Sequence, residues 1–411
     1  MEELEKPDPI LFDPLKLILE RTLADHFETR VGVEHWMLLT EPERRNRIWR
    51  CRLNAEDSFV PETVIIKQVS PAGYAPSNPE SWDTKRFFND WAGAKFLSEI
   101  ALEEKHGPEF YGGNIELGFI GLEDMGEESS LVDPLLKGDA ASATSALIAY
   151  AERLGQMHAS SIGAEATYRR IQRDISPAWA TLDLNSSLSA TETITKQIND
   201  FAEICPRLGV DPGEEAKKEL SSALQKMQAP GAFTAFIHGD PCPDNVFYHA
   251  PDLRLIDFEF SCFGHALRDG LYGRLPFPTC WCANAIPSEV VLKMENAYRV
   301  ALAVRCPEAL DDRLFSQEAT IIAAFWAINS LIWHLDEALK QDDQWGIAGT
   351  RARILTRIGT FIESSSSYDQ LPALREVFSK LLAELQNSWP EATPLPYYPA
   401  FRDNIETSFF V

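Results

Sequence analysis

Three features of this 411-residue chain predict an α+β fold, with a small antiparallel-sheet domain ahead of a larger, mostly helical one. Strand-like segments crowd into the first third. Helical periodicity takes over after Asp124. A single hairpin signal, near 246–258, interrupts the helices.

Taken in order, Asp13 followed by Pro14 opens a first helix that the apolar spacing carries to about Glu28. The segments His35–Thr40 and Arg47–Leu53 read as strands joined by the polar turn Glu41–Asn46. Trp49, Cys51 and Leu53 alternate with Arg50 and Arg52, the period of a half-buried strand. Thr63–Val69 (TVIIKQV) is a third strand, rich in β-branched residues, with Lys67 inside it. Ser70–Glu80 is a Pro/Gly/Ser loop, 82–100 a helix, and short strands are expected near Phe110 and over Leu117–Glu123. Helices are expected over 141–159, 214–228, 289–305, 316–340, 350–364 and 370–388. Between them lies the hairpin Val246–His249 and Leu253–Phe258, turning at Ala250–Asp252. The implied organisation is a helical extension (1–30), a sheet domain (31–126) with a linker at about 123–127, and a helical domain (127–411).

Composition narrows the function classes. Apolar residues make up 45% and charged residues 24%, and 62 acids against 38 bases leave a net charge of −24. Such a surface repels phosphate backbones and anionic lipid, so neither nucleic acid nor membrane is an expected partner. Seven cysteines without framework-like spacing read as free thiols, and the acidic N-terminus lacks a signal-peptide pattern, so a cytoplasmic location is expected. Cys280-Trp281-Cys282 and Cys242 lack the second pair that a tetrahedral zinc site needs and read as buried thiols. His158 and His334 read as core histidines. Phe325, Trp326 and Trp333 read as core packing at helical spacing.

The chemistry concentrates in Phe236–Ser261, FIHGDPCPDNVFYHAPDLRLIDFEFS. It holds His238-x-Asp240-x4-Asn245, then Asp257 at the far end of the hairpin. Chance alone would give H-x-D-x4-N in roughly one or two of a hundred chains of this length, and far fewer with the hairpin attached. Phosphoryl transfer needs these groups: a carboxylate to orient an acceptor hydroxyl and take its proton, and hard oxygen ligands for Mg²⁺. Asp240 suits the first role, Asn245 and Asp257 the second.

In HGDPCPDN (238–245), LIDFE (255–259), LGQMHAS (154–160) and GHALRD (264–269), the sequence resembles the aminoglycoside phosphotransferase and choline kinase group. These are small-molecule kinases of two-lobed, protein-kinase-like fold, and the likeness runs from about His35 to Asp269. The resemblance implies ATP and Mg²⁺ as cofactors, Asp240 as catalytic base, and Asn245 and Asp257 as metal ligands. It implies that His238 and Asp269 brace the catalytic loop. Lys67 corresponds to the lysine that contacts the α- and β-phosphates. Asp90, which shares a helix face with Ala94 and Leu97, is its expected partner where the family usually has Glu. LGFIGLEDM (117–125) resembles the interdomain hinge, whose backbone around Glu123 to Met125 would meet adenine.

The turn TEPERRN carries no glycine, and Arg44, Arg45 and Arg47 cluster there. They are either a solvated tip or charges that approach the phosphates. DFE in place of DFG, Gly239 where protein kinases have arginine, and the absence of A-P-E argue against a protein kinase. The expected function is phosphorylation of a hydroxyl on a small aminoglycoside-, choline- or sugar-like acceptor; the alternative is a nucleotide-binding pseudokinase scaffold. Asp336, Glu337, Asp342 and Asp343, with tryptophans 281, 326, 333 and 345 nearby in sequence, suggest a cationic acceptor.

Overall fold

Helix α1 spans Pro9–Phe27 and is followed by strands β1 (Val31–Leu38), β2 (Asn46–Ala55) and β3 (Thr63–Val69). Helix α2 (Trp82–Ile100), β4 (Phe110–Asn114) and β5 (Phe119–Glu123) come next, then helices α3 (Val132–Lys137), α4 (Ala140–Ser161), α5 (Glu165–Ile175), α6 (Ala190–Arg207) and α7 (Glu214–Gln228). Strands β6 (Thr234–Ile237), β7 (Val246–His249), β8 (Asp252–Leu255) and β9 (Cys262–His265) precede α8 (Leu267–Gly270), α9 (Ser288–Leu302) and α10 (Asp312–Lys340). The short strands β10 (Gln344–Trp345) and β11 (Ala348–Gly349) lead to α11 (Thr350–Tyr368) and α12 (Pro372–Ser388). This computed structural model describes residues 9–402 apart from 42–43, 71, 79, 101–103, 128, 182–189 and 250–251. The tip of the expected turn at Ala250–Asp252, part of the Glu41–Asn46 turn and residues 1–8 of the N-terminal extension therefore lie outside the described residues.

The chain divides into two compact units. The first comprises 1–128 with 166–182 and 254–261. It holds an antiparallel sheet ordered β1-β2-β3-β5-β4, in which β2 and β3 pair without a register shift from Asn46↔Val69 to Arg52↔Thr63. Leu15, Leu19 and Leu23 of α1 share one apolar core with Val31, Val33, Cys51, Val64 and Ile66 of the strands. The N-terminal helix thus covers a face that the alternating strands leave apolar.

The second unit comprises 129–165, 183–253 and 262–411 and is mostly helical. The expected α+β division into a small antiparallel sheet with one key helix and a helical remainder is present. Two strand expectations need correction. β8 ends at Leu255 rather than Phe258, and β9, which pairs antiparallel with β6, falls where no strand was expected. α10 is long and apolar enough to cross a membrane, but most of its apolar stretch is buried inside the protein, as in a core helix.

Candidate active site

Lys67 sits in the middle of β3, opposite Ile48 of β2 and Ile120 of β5. Its inward face leaves it only 9% exposed, so its charge needs partners. The Nζ atom lies 2.7 Å from Asp90 Oδ2 and 2.5 Å from Asp257 Oδ1. Burial works against the ammonium, but the two carboxylates outweigh it and hold the Lys67 pKa above its ordinary value. Burial, against the pull of Lys67 and aided by nearby Asp257, pushes the Asp90 carboxyl up.

Asp90 also accepts the Phe258 N–H at 2.9 Å through Oδ1, so one carboxylate fastens both the lysine and the segment carrying Asp257. Gly93, one turn along α2, makes that approach possible. A Cβ there would stand 2.5 Å from Phe258 Cβ and 2.7 Å from Ser261 Oγ. Asp257 itself lies off the strand with φ of +68°, a left-handed conformation that Asp tolerates better than most residues. The extended ending expected for the hairpin is replaced by a backbone turn at Asp257, whose carboxylate reaches Lys67.

The arginine cluster does not act as one group. The Arg45 guanidinium donates to Glu259 Oε2 and that of Arg86 to Glu259 Oε1, while Asn89 Nδ2 donates to the Glu259 carbonyl at 3.0 Å. Arg44 stays exposed, 3.8 Å from Glu41, and Arg47 lies within β2. In the expected hinge, the Glu123 N–H already donates to the Glu109 carbonyl at 2.9 Å, and Met125 is half-buried. The Glu123 carboxylate accepts from Arg254 at 2.8 Å and from the Glu109 N–H at 3.0 Å; although burial opposes it, these bonds hold its pKa below the usual range. Asp124, not singled out in the sequence, takes a two-point contact from Arg50 at 2.6 and 3.0 Å, which pins this segment to β2.

In the helical unit, β6 delivers the chain into His238-Gly239-Asp240. Gly239 has φ of +82°, which a side chain would resist. The fully buried Asp269 carboxylate accepts from the His238 N–H at 2.6 Å and the Gly239 N–H at 3.3 Å. His158, on α4, places Nε2 3.6 Å from that carboxylate and Nδ1 2.9 Å from the Tyr298 hydroxyl. His158 is indeed buried, but it also backs the loop. The Asp240 N–H donates to His238 Nδ1 at 3.3 Å, and Asn245 Nδ2 donates to the Asp240 carbonyl at 2.9 Å. Because its nitrogen is used this way, Asn245 presents its amide oxygen as the atom suited to a cation. Tyr150 closes the loop from below, donating to the Pro241 carbonyl at 2.7 Å.

Sequence reasoning missed the far side of this loop. The Thr279 hydroxyl donates to Asp240 Oδ1, and Trp281 Nε1 donates to Asp244 Oδ2 at 2.8 Å. Between them Cys280 is disulfide-bonded to Cys242, with a Cα–Cα distance of 5.5 Å. The expectation of free thiols is corrected at these two positions: the segment after α8 returns to the loop and brings the cysteines within bonding reach. Cys51, Cys205, Cys262, Cys282 and Cys306 lie outside this disulfide and are buried. Nothing in a 38-residue separation signals the pairing. Among the tryptophans, Trp326 is buried as expected, but Trp333 is 52% exposed. In the acidic run, Asp336 pairs with Arg207 and Glu337 with Lys340.

Residues 106–272 match the sequence model of the phosphotransferase enzyme family. This is the family that the motifs resemble, and the matched stretch contains the expected hinge segment, Asp240, Asn245, Asp257 and Asp269. No significant match is found among curated proteins. Among solved structures, the chain is similar to the ADP-bound aminoglycoside phosphotransferase APH(2'')-Ib, at 12% identity and a TM-score of 0.44 over 90% of this chain and 99% of that one. It is also similar to choline kinase from Cryptosporidium parvum Iowa II, at 11% identity and a TM-score of 0.43 over 91% and 95% of the two chains. The amicoumacin kinase hAmiN in complex with AMP-PNP, Ca²⁺ and Ami shows 13% identity and a TM-score of 0.41, again over 91% and 95%.

Proposed function

With residues 106–272 matching the phosphotransferase enzyme family, we propose that this chain is a small-molecule kinase. It moves the γ-phosphoryl group of ATP to a hydroxyl of an aminoglycoside-, choline- or sugar-like acceptor. The observation that carries the reading is the braced loop within the matched stretch. Buried Asp269 holds the His238 and Gly239 amides, and the loop they form presents Asp240 beside the Thr279 hydroxyl.

In this reading Asp240 orients the acceptor hydroxyl and takes its proton, a role typically worth about 10²–10⁴ in rate. Lys67 supplies positive charge to the donor's phosphates, and Asp90 keeps the lysine extended for that task. The donor set suits Mg²⁺, because Asn245 offers an amide oxygen and Asp257 a carboxylate, both hard ligands. When bound, Mg²⁺ neutralises phosphate charge. The backbone around Glu123 to Met125 meets the adenine edge, with Arg50 and Asp124 holding that segment in shape. The acceptor carries positive charge, in keeping with a protein at −24 and the exposed Trp333.

A screen of hydroxylated amines, sugars and aminoglycosides with Mg·ATP, read by mass as acceptor plus one phosphoryl group, tests the reading. A phosphorylated acceptor supports it. Tight nucleotide binding with no product across the screen favours the scaffold alternative.

A further inference from the structure

The disulfide beside Asp240 closes a group of ligands that reduction would open. A carboxylate oxygen of Asp240, Cys242 Sγ and Cys280 Sγ all lie within 4.8 Å of one another. Cys242 Sγ is 2.9 Å from Asp240 Oδ1, although a disulfide sulfur has no proton to donate. Thr279 Oγ1 is 3.4 Å from the same sulfur and bonded to the same carboxylate. Both cysteines are almost fully buried, while Asp240 and Thr279 are half-exposed and give the cluster a side open to solvent.

We propose that the reduced Cys242–Cys280 pair and Asp240 form a binding site for one soft divalent cation of the Zn²⁺ class. Reduction by a phosphine consumes one water: the disulfide takes two electrons and two protons to give two thiols, and the phosphine becomes its oxide. Metal binding then displaces two thiol protons and forms two metal–sulfur bonds and one metal–oxygen bond. A tetrahedral metal with bonds of about 2.3 Å to sulfur and about 2.0 Å to oxygen needs the sulfurs about 3.8 Å apart and each sulfur about 3.5 Å from the carboxylate oxygen. Side-chain rotation about Cα atoms 5.5 Å apart supplies that spacing without moving the backbone far. The Thr279 hydroxyl or a water completes the fourth position. Two thiolates discriminate against Mg²⁺, which keeps this site chemically separate from the Asn245 and Asp257 oxygens.

The site shares a ligand with the proposed base. Its consequence, inhibition of turnover by Zn²⁺ in reduced protein only, rests on the kinase reading; its existence does not.

The test uses the full chain, reduced with a phosphine, desalted without oxygen and titrated with Co²⁺ as a spectroscopic stand-in for Zn²⁺. The expected result is a sulfur-to-cobalt charge-transfer band that saturates at one equivalent per chain, persists in excess Mg²⁺ and disappears on adding Zn²⁺. The oxidised protein gives no band. Cys242→Ser and Cys280→Ser each abolish the saturable band, Cys282→Ser keeps it, and Asp240→Asn weakens binding by at least the ~10-fold that outer-sphere losses already cost. The proposal is overturned if reduced wild-type protein shows no saturable band, if the band survives in Cys242→Ser, or if circular dichroism shows that the reduced chain has unfolded. Because absorption and not turnover is read, failure here leaves the kinase reading standing, and failure of the acceptor screen leaves this site standing.

Discussion

Replacing Asp90 by Asn removes one of the two charges on Lys67 while keeping a carbonyl oxygen for the Phe258 amide. At 2.7 Å and an effective dielectric near 20, the Asp90–Lys67 attraction is about 6 kcal/mol before desolvation is charged against it. Breaking a buried pair that has no alternative costs roughly 3–5 kcal/mol. Lys67 keeps Asp257 at 2.5 Å, so the expected loss is nearer ~2–3 kcal/mol. Lys67→Met leaves two buried-side carboxylates facing each other and costs a similar amount. In the double variant the shared contact can be lost only once, so its destabilisation falls short of the sum by about 1–3 kcal/mol. Urea unfolding followed by tryptophan fluorescence, with Trp91 next in sequence to the mutated aspartate, measures all four corners of the cycle. The pH dependence adds a second signature. The folded Lys67 pKa lies above its unfolded value near 10.5, so the stabilisation is present below that pH and is lost as pH climbs through the folded value. Lys67→Met lacks this alkaline loss. Additivity within about 0.5 kcal/mol would refute the pairing.

Asp269→Asn weakens two charge-assisted bonds to the loop amides, so kcat should fall about 10–100-fold with acceptor KM little changed, as steady-state kinetics would show. Gly93→Ala forces a methyl against Phe258 and should cost about 1–3 kcal/mol while speeding hydrogen exchange of the Phe258 amide; unchanged exchange would contradict the close-approach argument. Burial lowers the His334 pKa to about 4, so the unfolded chain binds its proton first. Stability should therefore decline as pH falls from about 6.5 towards 4, by about 1–2 kcal/mol after allowance for partial exposure, and His334→Gln should flatten that decline in thermal melts. Asp257→Ala should weaken Mg²⁺-dependent nucleotide binding far more than metal-free binding in a calorimetric titration, and identical metal dependence would remove Asp257 from the ligand set.

Much of this was legible because the decisive signals are local. Lys67 stands out as a lysine inside a β-branched strand and through the motif resemblance, and helical spacing with Ala94 and Leu97 turns Asp90 inward, so a local pattern and a resemblance together point to their meeting. Asp269 as a brace came from a resemblance of short motifs, and the structure places its carboxylate on the loop amides. What stayed hidden depends on distant pairing or on single backbone angles. LRLIDF reads as one strand, yet the pairing stops at Leu255 and Asp257 turns left-handed. Four-residue β9 gains its partner β6 only through the tertiary fold. Thr279 and Cys280 return to the loop after more than 30 residues, and the Arg45–Glu259 contact joins positions more than 200 apart, for which a single sequence offers no cue.

The most direct test of the central claim is a single-turnover comparison of wild-type protein with Asp240→Asn on any acceptor found by the screen. Both proteins are saturated with Mg·ATP, and phosphorylated product is read by mass. The account predicts unchanged nucleotide affinity and a rate lowered by about 10²–10⁴ in the variant. A variant that phosphorylates the acceptor at the wild-type rate, with chemistry rate-limiting, would contradict it.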